Sequence, residues 1–251
     1  MPDRVQLKRE AREILRGARI SPWLFALVFL LITDALGMLN TLTSGSLVAR
    51  LQQFYPQVPV PDVLLRFASL PRMLVTFIAV FVPLLNMLLE TGSALYHMGV
   101  RKGREMPLST LFEGFSLAGR VIVLGLLQTV FVALWSMLFI VPGVVAAYSY
   151  RFALYNLLED PSLSPLEALR MSKAQTYGYK AELFILDLSF LGWFLLAALT
   201  FDLLSIFVMP YHTQTLLGYF RDVKRIKGIG CLTEEERQQF HNGPDPFGPS
   251  L

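Results

Sequence analysis

Charge and cysteine are scarce in this sequence. Only 16% of its 251 residues are charged, where soluble domains carry roughly a quarter. The single cysteine, Cys231, has no intrachain partner, which excludes a disulfide scaffold, and it cannot supply a zinc site. His97, His212 and His241 are scattered without HExxH spacing. There is no P-loop, no Gly-x-Ser-x-Gly elbow and no dinucleotide fingerprint. With no base and nucleophile pair to name, the expectation is a chain that is not an enzyme and has no metal and no cofactor. What is abundant is apolar: 54% of residues are hydrophobic and mean hydropathy is +0.50. That excess excludes disorder for most of the chain and points to a membrane protein.

Apolar stretches divide the chain into an all-α, polytopic transmembrane bundle of about six spans, each needing about 20 apolar residues. Ser21-Pro22 reads as a helix cap followed by proline at the first position, and the first span runs over residues 22–40. Its length exceeds the h-region of about 7–15 residues in a signal peptide, and no small-x-small cleavage site follows. Residues 41–72, rich in proline, read as an extramembrane loop with an amphipathic patch at 63–70. The second span is expected at 73–89, with continuation of the helix through Val100 as the alternative, and the third at 121–140, ended by Pro142-Gly143. A fourth at 144–158 would reach only about 22 Å, so a tilted or re-entrant helix is the alternative. Ser164-Pro165-Leu166-Glu167 is a capping box; it opens an amphipathic helix to about Thr176, with Arg170 and Lys173 suited to a headgroup surface. Residues 183–220 divide into two spans near 200–202.

The basic residues orient this bundle. Of 22, three lie in the 41–72 loop and 19 in segments that an N-inside, C-inside topology places in the cytoplasm. The expected organisation is a basic cytoplasmic N-terminus (1–20), a transmembrane domain (21–220) and a cytoplasmic tail (221–251). In that tail, 233–236 caps a short helix and 241–251 is disordered. A pI near 9.0 follows from the same bias, so nucleic acid is not an expected partner; membrane lipids are, with a membrane-protein partner or a second copy of the chain possible.

Residues 139–200 carry a recognisable pattern: Val141-Pro142-Gly143, Ala147-Tyr148-Ser149-Tyr150, the Asp160-Pro161 stop, the capped Ser-Pro-Leu-Glu-Ala helix, Leu186-Asp187-Leu188-Ser189-Phe190 and Gly192-Trp193-Phe194, with Met209-Pro210-Tyr211 beyond. Together with Arg9-Glu10-Ala11-Arg12 this resembles a bacterial family of integral membrane proteins, domain of unknown function 975. The resemblance implies topology and residence in the bacterial inner membrane and supplies no catalytic residue. The architecture is also similar to the membrane part of some glycerophosphodiester phosphodiesterases, whose catalytic domain has no counterpart in this sequence.

A charge facing lipid costs on the order of 2.5–3.5 kcal/mol, so the polar residues in the spans mark candidate intramembrane sites: Asp34, Glu90, Arg151 and Asp187. Asp34 is the deepest acid. Asn86, Glu90, Ser93 and His97 form one stripe at helical spacing. If the second span ends near Leu89, Glu90 and His97 are simply hydrated; otherwise the stripe is a polar path. The depths of Arg151 and Asp187 differ by about 7 Å, within reach of an arginine, so an ion pair between them is expected as glue between helices. Trp23, Trp135 and Trp193 read as interface anchors, and Gly92, Gly125 and Gly192 as sites of close helix packing. Function then divides between a noncatalytic membrane protein contacting lipid or a partner and a small transporter or channel built on the four polar residues.

Overall fold

The computed structural model describes residues 2–18, 21–200 and 202–230, and every regular element among them is helical. α1 (Arg4–Gly17) is followed by α2 (Pro22–Thr43), two short helices in the connection, α3 (Ser46–Phe54) and α4 (Asp62–Ala68), and the long α5 (Arg72–Arg101). A 3-10 segment (Leu108–Leu117) leads into α6 (Ala118–Leu138), and then come α7 (Ile140–Ser149), α8 (Ala153–Glu159), α9 (Pro165–Thr176), α10 (Lys180–Leu188), α11 (Leu191–Leu199) and α12 (Ser205–Lys227). Four stretches are long and apolar enough to cross a membrane: α2, α5, Leu108–Leu138 and Lys180–Leu199.

Burial is distributed as a bilayer requires. Leu31, Phe77, Val130, Leu134, Ile140 and Leu195 point outward, a surface that water would penalise and hydrocarbon would not. The packed core lies toward the other end, where Phe152, Leu186, Phe190 and Tyr219 are enclosed together with the polar Asn156, Gln175, Gln214 and Thr215. α1 completes that end. Asp3 caps it by accepting the Val5 N–H at 2.9 Å, and Leu7, Ala11 and Leu15, one face at three-to-four-residue spacing, pack it along α12.

Glycine sets the closest approach. A methyl group on Gly92 would lie 2.0 Å from the Leu111 carbonyl oxygen, and one on Gly114 would lie 2.2 Å from that of Leu88. The backbones of α5 and the 3-10 segment thus touch reciprocally. Gly125 faces the Met87 side chain, whereas Gly192 has open space around it and does not serve packing.

Several elements differ from the sequence expectation. The helix breaks at Phe139 rather than at Pro142-Gly143, because proline's missing N–H costs nothing within the first turn of a new helix. Gly143 then lies against Ser136, closing a tight α6–α7 hairpin. Residues 144–158 form two helices separated by Tyr150–Phe152. α5 takes the longer of its two expected courses, past Leu89 to Arg101, and it is His97 that differs: at 1% exposed it is buried, not hydrated. α9 has the expected capping box but buries Ala168, Leu169, Ser172, Gln175 and Thr176 against its neighbours, so only its other face is a surface. α12 continues through the expected boundary at 220 to Lys227, with Val223 and Lys224 buried. Cys231, His241, the helix expected at 233–236 and the end at 241–251 lie outside the described residues.

Candidate functional site

Two apolar helical stretches, α7–α8 and α10–α11, are interrupted, and side chains from elsewhere repair the gaps. At the end of α7 the Ser149 carbonyl accepts from Ser172 Oγ at 2.8 Å and from Thr176 Oγ1 at 3.2 Å, while the Phe152 N–H donates to Ser172 Oγ at 3.1 Å. One turn on, Asn156 and Gln175 exchange amide hydrogen bonds of 2.9 and 3.0 Å. α9 therefore satisfies the polar groups that helix ends leave open. At the second gap, Ser189–Phe190, the Lys8 ammonium donates to Ser189 Oγ at 2.8 Å and sits 4.4 Å over the Phe190 ring. Burial first, then the guanidinium groups of Arg12 and Arg4, hold Lys8 below its usual pKa.

Between these gaps lies a polar cluster centred on Asp187. Arg151 Nη2 is 3.5 Å from Asp187 Oδ2, so the two residues paired by depth are in contact. The same oxygen accepts from the Tyr148 hydroxyl at 2.9 Å, and Oδ1 accepts from His212 Nε2 at 2.9 Å. An ionised carboxylate only accepts, so Nε2 of His212 carries the proton. Phe190 and Phe194 meet the His212 ring edge-on, with centroids 5.0 and 5.4 Å away. With three donors converging, the carboxylate is fixed and its charge answered; the arrangement holds three helices, α7, α10 and α12, at one point.

Glu90 and Asp34 stand apart from this cluster. Tyr155 interacts electrostatically with Glu90, Arg151 and Asp187, but Glu90 itself turns into a groove of about 490 Å³ between α5, α6 and α7. It makes no hydrogen bond or ion pair with the described residues. Asp34 is exposed on α2, likewise without a partner among the described residues, so the bundle does not shelter the deepest acid. The remaining buried charges are tied: Lys224 to Glu159 at 2.6 Å, and Arg101 to Glu10 at 3.3 Å and to the Gln214 carbonyl at 2.8 Å. Among the described residues no group of three or more His, Cys, Asp or Glu is placed to hold a metal ion.

Sequence reasoning missed Tyr148 and His212. A signal was present: α10–α11 and α12 are antiparallel, and reflecting position 187 through a turn at Thr200 lands within one residue of His212.

A family model described as a protein of unknown function (DUF975) matches residues 1–156 and again 143–227. The chain belongs to the DUF975 family. Both stretches of the DUF975 match include residues 143–156, which hold Tyr148, Arg151 and the first helix gap. Neither a curated protein nor a solved structure matches the chain.

Proposed function

We propose that this DUF975 protein is a noncatalytic protein of the bacterial inner membrane that engages anionic lipid through its basic α1. The reading is carried by α1, which uses Leu7, Ala11 and Leu15 to dock on α12 and leaves Arg4, Arg9, Arg12 and Arg16 exposed beside the apolar belt. Each basic residue at an anionic surface adds about 1 kcal/mol. Arg170 and Lys173 on the exposed face of α9 extend the same charge. In this reading the chain crosses six times, by α2, α5, α6, the broken α7–α8, α10–α11 and α12, with both termini cytoplasmic. Asp34, exposed in the middle of α2, supports contact with a membrane-protein partner or a second copy, because lipid alone leaves its charge unanswered.

The test is lipid mass spectrometry on protein extracted in native lipid discs. Phosphatidylglycerol enriched around wild type and lost in Arg9→Gln/Arg12→Gln/Arg16→Gln supports the lipid reading. An unchanged lipid profile refutes it, and a copurifying protein lost in Asp34→Asn favours the partner instead. The two interrupted helices flanking Asp187 favour a second reading, a small transporter using Asp34, Glu90, Arg151 and Asp187. Proton or cation flux in proteoliposomes that disappears in Asp187→Asn and Glu90→Gln would replace the first reading with it.

A further inference from the structure

We propose that the groove between α5, α6 and α7 is a binding site for an amphiphilic amine, whose ammonium group pairs with Glu90 and whose chain lies along α6. The site stands independently of the anionic-lipid reading. Three polar side chains face this groove, Glu90, Gln128 and Thr129, and none of them has a hydrogen-bond partner among the described residues; Thr91, also at the wall, is already committed to the Met87 carbonyl at 2.8 Å. Glu90 is exposed at the groove, and a carboxylate left without a partner beside an apolar belt is costly. A cation with hydrogen-bond donors answers it, and an alkylammonium supplies both.

The groove also selects shape. On α6 it runs from Val121 to Ala133, roughly 18 Å along a helix axis. Leu88 shares a buried cluster with Val121 and Leu124, and Met87 lies against Gly125, which sets Glu90 toward the Val121 end of the groove. From there the wall runs over Leu124 and Val132, with Gln128 and Thr129 as polar points between them. Thr129 and Ala133 are exposed, so the groove opens sideways onto the apolar belt, the side from which a bilayer amphiphile enters. Charge at one end and a mostly apolar track leading from it, interrupted by Gln128 and Thr129, fit an amine head with a chain. Arg151 does not occupy the place of that cation, because its guanidinium is held 3.5 Å from Asp187.

The test uses the full chain in a neutral maltoside detergent, titrated with dodecylammonium and, separately, with ethanolamine, a water-borne amine. Wild type is expected to bind dodecylammonium saturably and at least about ten-fold more tightly than ethanolamine, since each buried methylene adds to affinity. Glu90→Gln is expected to weaken dodecylammonium by about ten-fold or more through loss of the charged acceptor, and Glu90→Asp to retain most of it. Ala133→Trp, at an exposed position that tolerates bulk, is expected to weaken dodecylammonium and leave ethanolamine unchanged; it also carries the test if Glu90→Gln does not fold. Equal binding by wild type and Glu90→Gln, or no saturable binding of either amine, overturns the proposal. Ethanolamine binding as tightly as dodecylammonium assigns the groove to a soluble amine and overturns the amphiphile.

Discussion

Removing the charge of Asp187 should be far more damaging than removing that of Arg151, although the two form one ion pair. The Arg151 contact is 3.5 Å long, and the arginine side chain is 37% exposed against 23% for Asp187. Solvent screening holds such a contact to about 1 kcal/mol or less. After Arg151→Gln the carboxylate still accepts from Tyr148 and His212, each at 2.9 Å. Asp187→Asn weakens all three contacts at once. Charge-assisted hydrogen bonds are each worth about 1.5–3 kcal/mol, and an asparagine keeps one acceptor oxygen, so the loss should be about 3 kcal/mol. For a chain of this size that is a fall in Tm of roughly 6–12 °C, read from tryptophan fluorescence of the protein in lipid discs. The double variant should match Asp187→Asn to within about 0.5 kcal/mol, because the guanidinium, already at the edge of solvent, loses little more. Should Arg151→Gln prove as destabilising as Asp187→Asn, the view of Asp187 as a three-donor centre is wrong and a simple pair is right.

Two further outcomes follow from packing and capping. Gly92→Ala and Gly114→Ala each force a methyl group against a carbonyl oxygen, 2.0 and 2.2 Å away, and should cost at least about 1–3 kcal/mol, while Gly192→Ala, with open space around it, should be close to neutral; thermal unfolding of the three compares them directly. Ser164 donates its backbone N–H and its hydroxyl to Glu167 at 2.8 and 2.7 Å, and the hydroxyl bond first, then the N–H, hold the Glu167 carboxyl below its usual pKa. Its contribution is therefore complete above the ordinary glutamate value of about 4.3 and is lost as pH falls through the lower folded value. Unfolding curves between about pH 3 and 6 should show this acid-side loss in wild type and less of it in Ser164→Ala.

Much of this was legible because it depends on composition and periodicity. Apolar runs located α2, α5, α6 and α10–α11, and Ser-Pro at 21–22 and 164–165 located two helix starts to the residue. Depth along a helix is a one-dimensional quantity, so residue counting sufficed to bring Arg151 to Asp187. What escaped depends on three-dimensional contact. The gap at Tyr150–Phe152 has no proline or glycine to announce it; it exists because Ser172 and Thr176 answer the open backbone groups from a helix whose place was unknown. His97 looked hydrated because helical spacing does not reveal what stands opposite: Phe25 and Tyr96 meet it edge-on and the Gln214 amide donates to its carbonyl at 2.9 Å. Lys224 belonged to a charged run that reads as solvated, and only the fold places Glu159 beside it.

The repair of α7 by α9 bears on how this chain leaves the ribosome. Ser149 is synthesised before the residues that answer its carbonyl, Ser172 and Thr176, which lie 23 and 27 positions later. When α7 is first made, its last turn has no intramolecular partner, and hydrocarbon supplies none. Until α9 is out, the open backbone groups at the end of α7 must be answered by water, and α9 enters the structure as a late keystone of the α6–α7 hairpin. Insertion of this protein is thus not a succession of independent helices. The end of α7 is completed by a helix made after it, so the order of synthesis and the order of folding differ at this point in the chain.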